Sequence, residues 1–136
     1  MSGSIREFQF ESILDPREGT NFDLWMGLEP EGEVCIEVKL TESTFGSARA
    51  DARHRAKFIE IYQPRLAVLI GDATPSEGAF FRHYQLFRNL AYADPGTGRI
   101  VLFVLPRANT HCRAEMEGFL TGFVRPCVPG RLGGLP

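Results

Sequence analysis

The chain has 136 residues, of which 43% are hydrophobic and 11% aromatic, so it is long enough to form one globular domain with a buried core. It has no apolar run of the roughly 20 residues that cross a bilayer, and its first residues do not resemble a signal peptide. Three cysteines without CxxC spacing predict a cytoplasmic protein with reduced thiols.

The charge is divided unevenly along the chain, although the net charge is only −2. Residues 1–47 contain three basic and ten acidic residues, a net of −7, whereas residues 48–136 contain twelve basic and seven acidic residues, a net of +5. This division suits an enzyme that binds a metal with one region and nucleic-acid phosphates with another. A solvated surface with charges distributed by chance explains it equally well.

Two strands with an acidic residue on each are predicted near the start of the chain. Residues 5–14 fit either a short helix or a strand, but apolar residues alternate clearly in residues 22–28 and 34–40. The Glu-Pro-Glu-Gly-Glu segment between them predicts a hairpin turn. If the apolar side chains share one face, Asp23 opposes position 37 or 39, and Asp23, Glu37 and Lys39 share the other face.

Two carboxylates on that face repel each other. At about 4 Å and an effective dielectric constant near 20, two unit charges interact by about 4 kcal/mol, so a positive charge is expected between them. Lys39 offers one charge, and a divalent cation offers two. Carboxylate oxygens suit Mg²⁺ or Mn²⁺ better than zinc. Bound Mg²⁺ can activate water, and a nearby lysine can stabilise developing negative charge.

An acidic residue followed across a hairpin by Glu-x-Lys resembles the PD-(D/E)XK nuclease superfamily, and in particular its small restriction-endonuclease-like members. Residues 19–23, 38–42 and 84–90 carry the resemblance. It implies an α/β fold with a mixed β-sheet flanked by α-helices, and Mg²⁺-dependent hydrolysis of nucleic-acid phosphodiesters, with DNA expected and RNA not excluded. Endonuclease action is favoured over exonuclease action, and cutting both strands of a duplex would suit a homodimer.

The resemblance also implies roles for individual residues. Asp23, Glu37 and the Val38 carbonyl would bind the metal, and Lys39 would act in catalysis. Gln85 matches the helix glutamine that supports the site in several branches of the superfamily.

The chain departs from the superfamily pattern in two places. Phe22 stands where the motif has its proline, and only twenty-two residues precede Asp23, where the superfamily usually places a helix with an acidic residue. Glu11 and Glu18 are the candidates for that acid. An inactive domain of the same fold, which binds a protein or nucleic-acid partner, is therefore the alternative hypothesis.

Helices are predicted in the middle of the chain. Alanine-rich residues 47–62 predict a helix that ends at Gln63-Pro64, with Arg53 and Lys57 on one exposed face. These two side chains are candidate phosphate contacts, although most basic stripes only solvate a helix. Residues 65–70 fit a strand or the end of a helix.

A capping box in residues 74–77 predicts a further helix to about residue 93. Its polar face includes Gln85, Arg88 and Asn89. If that face meets the strand pair, Gln85 can bond to Lys39 or a metal-bound water, and Arg88 can contact a phosphate. An ordinary amphipathic helix with Arg88 paired to an acid is the alternative.

The nearly continuous apolar run of residues 99–106 predicts a strand buried on both faces, and hence a sheet covered by helices on both sides. A short helix is predicted around residues 112–121, with Asn109 or Thr110 as its cap. Residues 1–125 are predicted to form the single domain, and residues 126–136, rich in proline and glycine, a flexible tail.

Overall fold

In a computed structural model of the chain, which describes residues 3–124, four strands form one sheet. In the order in which they lie, the strands are β1 (Ser4–Ile13), β2 (Asn21–Glu29), β3 (Glu33–Val38) and β4 (Arg99–Val104). β1 and β2 pair antiparallel, as do β2 and β3, whereas β3 and β4 pair parallel. The sheet is therefore mixed and flanked by helices, which confirms the predicted α/β restriction-endonuclease-like architecture.

The hairpin of β2 and β3 has the predicted register. Leu24 lies beside Ile36 and Met26 beside Val34, so these apolar side chains share one face. One further step along this register places Asp23 opposite Glu37, the first of the two predicted positions. Phe22 departs from the alternation, because it packs in a buried cluster with Cys35 on the opposite face of the sheet.

The first helical segment runs without interruption from residue 52 to residue 70. It comprises α1 (Ala52–Lys57), a π-helical turn (Phe58–Tyr62) and α2 (Gln63–Ile70), and a 3₁₀ turn (Gly71–Ala73) follows. The predicted start at residue 47 is wrong, because Asp51 caps the helix by accepting a bond from the His54 N–H at 2.9 Å. The predicted stop at Pro64 is also wrong, because Pro64 lies in the first turn of α2, where a missing N–H is tolerated.

The second predicted helix is two helices, α3 (Glu77–Arg82) and α4 (Tyr84–Leu90). His83 separates them with φ −113° and ψ 39°, which is not helical. Ser76 rather than Thr74 is the cap, since its Oγ accepts a bond from the Ala79 N–H. The last helix, α5 (Thr110–Phe119), begins after the predicted cap Asn109 and continues into a π-helical turn (Leu120–Val124).

The main core lies between the helices and one face of the sheet. Its members include Phe58, Tyr62, Leu66, Phe80 and Phe87, all of them buried. From the sheet, Phe103 of β4 packs against this cluster, while Cys35 lies in a second cluster with Phe22 and Tyr92. The helices thus cover the face of β3 and β4 that carries the odd-numbered residues.

No helix of residues 3–124 packs on the opposite face of the sheet, although Val34 and Ile36 on the inner strand β3 are buried there. Ile100, Leu102 and Val104 on this face of β4 are 55%, 46% and 43% exposed. The prediction of helices on both sides is therefore wrong for the described chain. An apolar strand sequence indicates burial on two faces, but these helices all pack on one of them.

Two further predictions concern the C-terminal tail and membrane-spanning helices. Residues 126–136, predicted to be a flexible tail, lie outside the described residues. Within those residues, no helix is long and apolar enough to cross a bilayer.

Candidate functional site

The two predicted acidic residues face each other across β2 and β3. Asp23 is half-buried, and its Oδ2 accepts a hydrogen bond from the Val38 N–H at 2.6 Å. Glu37 is buried, with 6% of its surface exposed. The backbone of β3 therefore fixes the Asp23 carboxylate next to the residue that follows Glu37.

Two further predicted residues meet at one oxygen of Glu37. Gln85 of α4 donates from Nε2 to Glu37 Oε1 at 2.6 Å, and Lys39 Nζ lies 3.3 Å from the same oxygen. Lys39 is itself buried, and its backbone N–H donates to the Val104 carbonyl at 2.9 Å. The structure thus brings Asp23, Glu37, Lys39 and Gln85 together, as the polar face of the predicted helix indicated.

The positive charge near Glu37 does not fully offset the cost of burying its negative charge. Burial raises the pKa of the Glu37 carboxyl, and the negative charge of Asp23 raises it further, while Lys39 lowers it. The buried Asn89 amide also lowers this pKa, yet its Nδ2 forms no well-aligned hydrogen bond with any described residue. The predicted repulsion between the two carboxyl groups is therefore present.

The predicted phosphate-binding residues lie elsewhere. Arg53 is exposed on α1, whereas Lys57 Nζ donates to the Glu18 carbonyl at 2.6 Å. Arg88 Nε donates to Glu18 Oε1 at 2.7 Å, and its guanidinium lies over the Tyr84 ring. Lys57 and Arg88 therefore bind Glu18 and not the Asp23–Glu37 pair.

Glu18 is the centre of a second cluster that sequence reasoning did not find. Its carboxylate is fully buried and accepts hydrogen bonds from Tyr62 OH, Tyr92 OH, the Thr20 N–H and Arg88. Burial alone raises the pKa of Glu18, but hydrogen bonds from the two tyrosines and Thr20, with the charge of Arg88, lower it to about 2.

Neither candidate for the missing superfamily acid joins the Asp23–Glu37 pair through a hydrogen bond. Glu18 is occupied by its four donors, and the exposed Glu11 accepts a bond from Asn21 Nδ2 at 2.6 Å. Cys35 of β3 is fully buried, and burial raises the pKa of its thiol to about 11, so it is not a nucleophile.

Comparison with known proteins identifies a family for the chain. No curated protein and no solved structure shows significant similarity to the chain. Residues 2–128, which is nearly the whole chain, match the sequence profile of a family described as "Restriction Endonuclease associating with ARP". The chain therefore belongs to this restriction-endonuclease-like family.

Proposed function

We propose that the chain is a metal-dependent nuclease of the PD-(D/E)XK type that hydrolyses phosphodiester bonds of DNA, as an endonuclease. The observation that carries this proposal is the meeting of Asp23, Glu37, Lys39 and Gln85 in one cluster. Three of these residues belong to the motif and the fourth to a helix that is distant in sequence. Membership of a restriction-endonuclease-like family supports the same chemistry.

The donor set fits a hard divalent cation. The raised pKa of Glu37 indicates a carboxylate pair that needs more positive charge than Lys39 supplies. Each carboxylate uses one oxygen in the bonds described above, so Asp23 Oδ1 and Glu37 Oε2, with the Val38 carbonyl, are the proposed ligands for Mg²⁺ or Mn²⁺. When bound, the metal would supply an activated water and polarise a phosphoryl oxygen.

The other two residues have distinct roles in this proposal. Lys39 places its ammonium group beside Glu37, where it would stabilise the negative charge that develops on the scissile phosphate. Gln85 is a positioning residue, because its amide holds the Glu37 carboxylate through Oε1. Arg53 is exposed and is the candidate for contact with a distant phosphate. Lys57 and Arg88 could contact a phosphate only while also bound to the carbonyl and the carboxylate of Glu18, respectively.

A protein partner also belongs to the proposal. The family description names association with ARP, and we propose that this chain acts with a partner of that kind. The description does not identify which surface binds it.

A second candidate function is an inactive domain of the same fold that binds a partner. One observation favours it: the element directly before β2 is the strand β1, where the superfamily usually has a helix that carries an acid. Glu18, which could replace that acid, has its four hydrogen bonds elsewhere.

The first test measures thermal unfolding in EDTA, Mg²⁺ and Mn²⁺, for the native chain and for Asp23→Ala, Glu37→Gln and Lys39→Ala. A metal at 100 times its Kd that binds only the folded state adds about 2.7 kcal/mol, which raises the Tm by several degrees. We expect this shift for the native chain and for Lys39→Ala. It should disappear in Asp23→Ala and be strongly reduced in Glu37→Gln.

Cleavage of duplex DNA, single-stranded DNA and RNA is then measured with the same proteins. Native cleavage should require the metal, and Lys39→Ala should lower its rate by at least about a hundredfold, because a preorganised charge in the site is removed. Glu33→Gln is the matched control, since Glu33 lies on the same strand but pairs with Arg99. Unchanged cleavage by Asp23→Ala would refute the site assignment, and no metal shift with no cleavage would favour the inactive domain.

A further inference from the structure

One face of the sheet is apolar across all four strands and exposed at both edges. Two rows show its composition: Phe10, Leu24, Ile36 and Leu102 lie side by side, and so do Phe8, Met26, Val34 and Ile100. We call this surface the open face and define it by its exposed members Ile5, Phe8, Phe10, Ile100, Leu102 and Val104, which are 43–66% exposed.

The open face stays apolar on both sides of an irregularity in β1. The register of β1 shifts between Ile5 and Glu7, and a regular strand would therefore alternate differently on the two sides of this shift. Ile5 nevertheless pairs with Leu28, whose side chain shares a face with Leu24 and Met26. Apolar residues thus occupy the open face on both sides of the shift.

The open face is as large as the largest apolar patches of typical monomers. With roughly 150–200 Å² for each fully exposed side chain of this size, its six defining residues expose about 600 Å². The largest apolar patch on a typical monomer is about 300–600 Å², and the partly exposed side chains of β2 add to the total here, whereas Val34 and Ile36 of β3 are buried. The uninterrupted apolar sequence of β4 is likewise typical of a strand covered on both faces.

We infer that the open face packs against the open face of a second copy of this chain, which forms a two-fold dimer of stacked sheets. Two such faces would bury roughly 1,200 Å² or more in total, which reaches the range of stable interfaces. In a two-fold interface each residue near the axis meets its own copy, so a charged residue there would repel itself. The open face has only apolar residues in its rows, and this cost does not arise.

The geometry of the sheet also suits this arrangement. Two sheets stack face to face at about 10 Å, with their strands at about −30°, and their apolar side chains interdigitate. The helices and the Asp23–Glu37 pair are not in the way, because Gln85 and its helix approach Glu37 from the covered face. The inference therefore does not depend on nuclease activity.

The test is the mass of the full chain in solution, measured by light scattering after size exclusion and by sedimentation over a wide concentration range. We expect a species of twice 15.2 kDa at micromolar concentration. The double variant Phe10→Glu with Leu102→Glu places four charges in the interface and should weaken association at least about a hundredfold. Both side chains are exposed in the protomer, so the protomer should keep its circular dichroism spectrum.

Val68→Glu is the matched control, because Val68 is an 85% exposed apolar residue of α2, which is not part of the open face. It should leave the dimer intact. A native chain that stays monomeric at all concentrations would overturn the inference and would leave the open face to another protein or to another segment of the chain. A dimer that survives the double variant with unchanged affinity would overturn it as well.

Discussion

Two buried glutamates lie against the same helix and have opposite electrostatics. Gln85 and Arg88 are three residues apart on α4, and they bind Glu37 and Glu18 respectively. Burial disfavours the ionised form of both carboxyl groups. Yet the pKa of Glu18 is lowered to about 2, whereas the pKa of Glu37 is raised.

The difference comes from what surrounds each carboxylate. Glu18 has four hydrogen-bond donors, one of them the cationic Arg88, and Lys57 binds its backbone carbonyl. Glu37 has Gln85 and Lys39 as partners, but the negative charge of Asp23 acts against them. A fully compensated buried charge serves the fold, while an incompletely compensated one is typical of sites that bind a ligand or a substrate.

The largest effect is expected from removal of the compensated carboxylate. Glu18→Ala should lower the free energy of unfolding by about 3–5 kcal/mol, because it leaves the half-buried Arg88 charge and two tyrosine hydroxyls without their acceptor. Chemical denaturation at neutral pH measures this loss. Glu33→Ala is the control: it breaks a half-exposed pair with Arg99 and should cost no more than about 1 kcal/mol. Equal losses in the two variants would contradict the assigned role of Glu18.

The second effect is a loss of stability in acid. The pKa of Glu18 is about 2 in the folded chain and near its ordinary value of 4.5 in the unfolded chain, so its ionised form stabilises the fold above pH 4.5. This contribution, about 3 kcal/mol, should be lost as the pH falls from about 4.5 to about 2. Asp15, which Arg65 holds at a pKa of about 2, acts in the same direction.

Unfolding measured against pH for the native chain and for Glu18→Gln separates the two carboxyl groups. The difference in unfolding free energy between these proteins should shrink as the pH falls through that window. The Asp15 contribution is common to both proteins and cancels. A difference that stays constant from pH 5 to pH 2 would show that Glu18 does not titrate as described.

The sequence predicted those parts of the molecule that depend on neighbouring residues. The hairpin could be predicted because side-chain alternation with a period of two is a local property, and it placed Asp23 beside Glu37 and Lys39. Asn109 was predicted as a cap for the same reason, because its side chain bonds three residues ahead. The position of Gln85 beside the strand pair could also be predicted, since the polar face of its helix could be recognised.

The Glu18 cluster could not be predicted because its partners are far apart in the chain. Tyr62 and Tyr92 are 44 and 74 positions from Glu18, and neither residue type signals a bond to a buried acid. The π-helical turn of residues 58–62 has no sequence signature comparable to a cap, so Pro64 suggested a stop. The pattern of β4 correctly indicated two apolar faces, but a pattern cannot tell whether the chain itself covers both.

The smallest effect has the opposite sign and tests the uncompensated carboxylate. The raised pKa of Glu37 means that folding disfavours its ionised form, so this charge lowers stability at neutral pH when no metal is present. Glu37→Gln keeps an oxygen that can accept from Gln85 and Lys39 but removes the repulsion by Asp23. We expect the variant to be slightly more stable than the native chain in EDTA at pH 7.

Glu33→Gln, on the same strand, should show no such gain, because it weakens the pair with Arg99. The gain of Glu37→Gln should also shrink as the pH falls, since the native Glu37 takes up a proton below its raised pKa and the repulsion disappears. Chemical denaturation at pH 7 and at pH 4.5 gives the difference in unfolding free energy between each variant and the native chain. A clear loss of stability in Glu37→Gln would mean that Glu37 is compensated in the way that Glu18 is, and the argument for a cation at the Asp23–Glu37 pair would then fail.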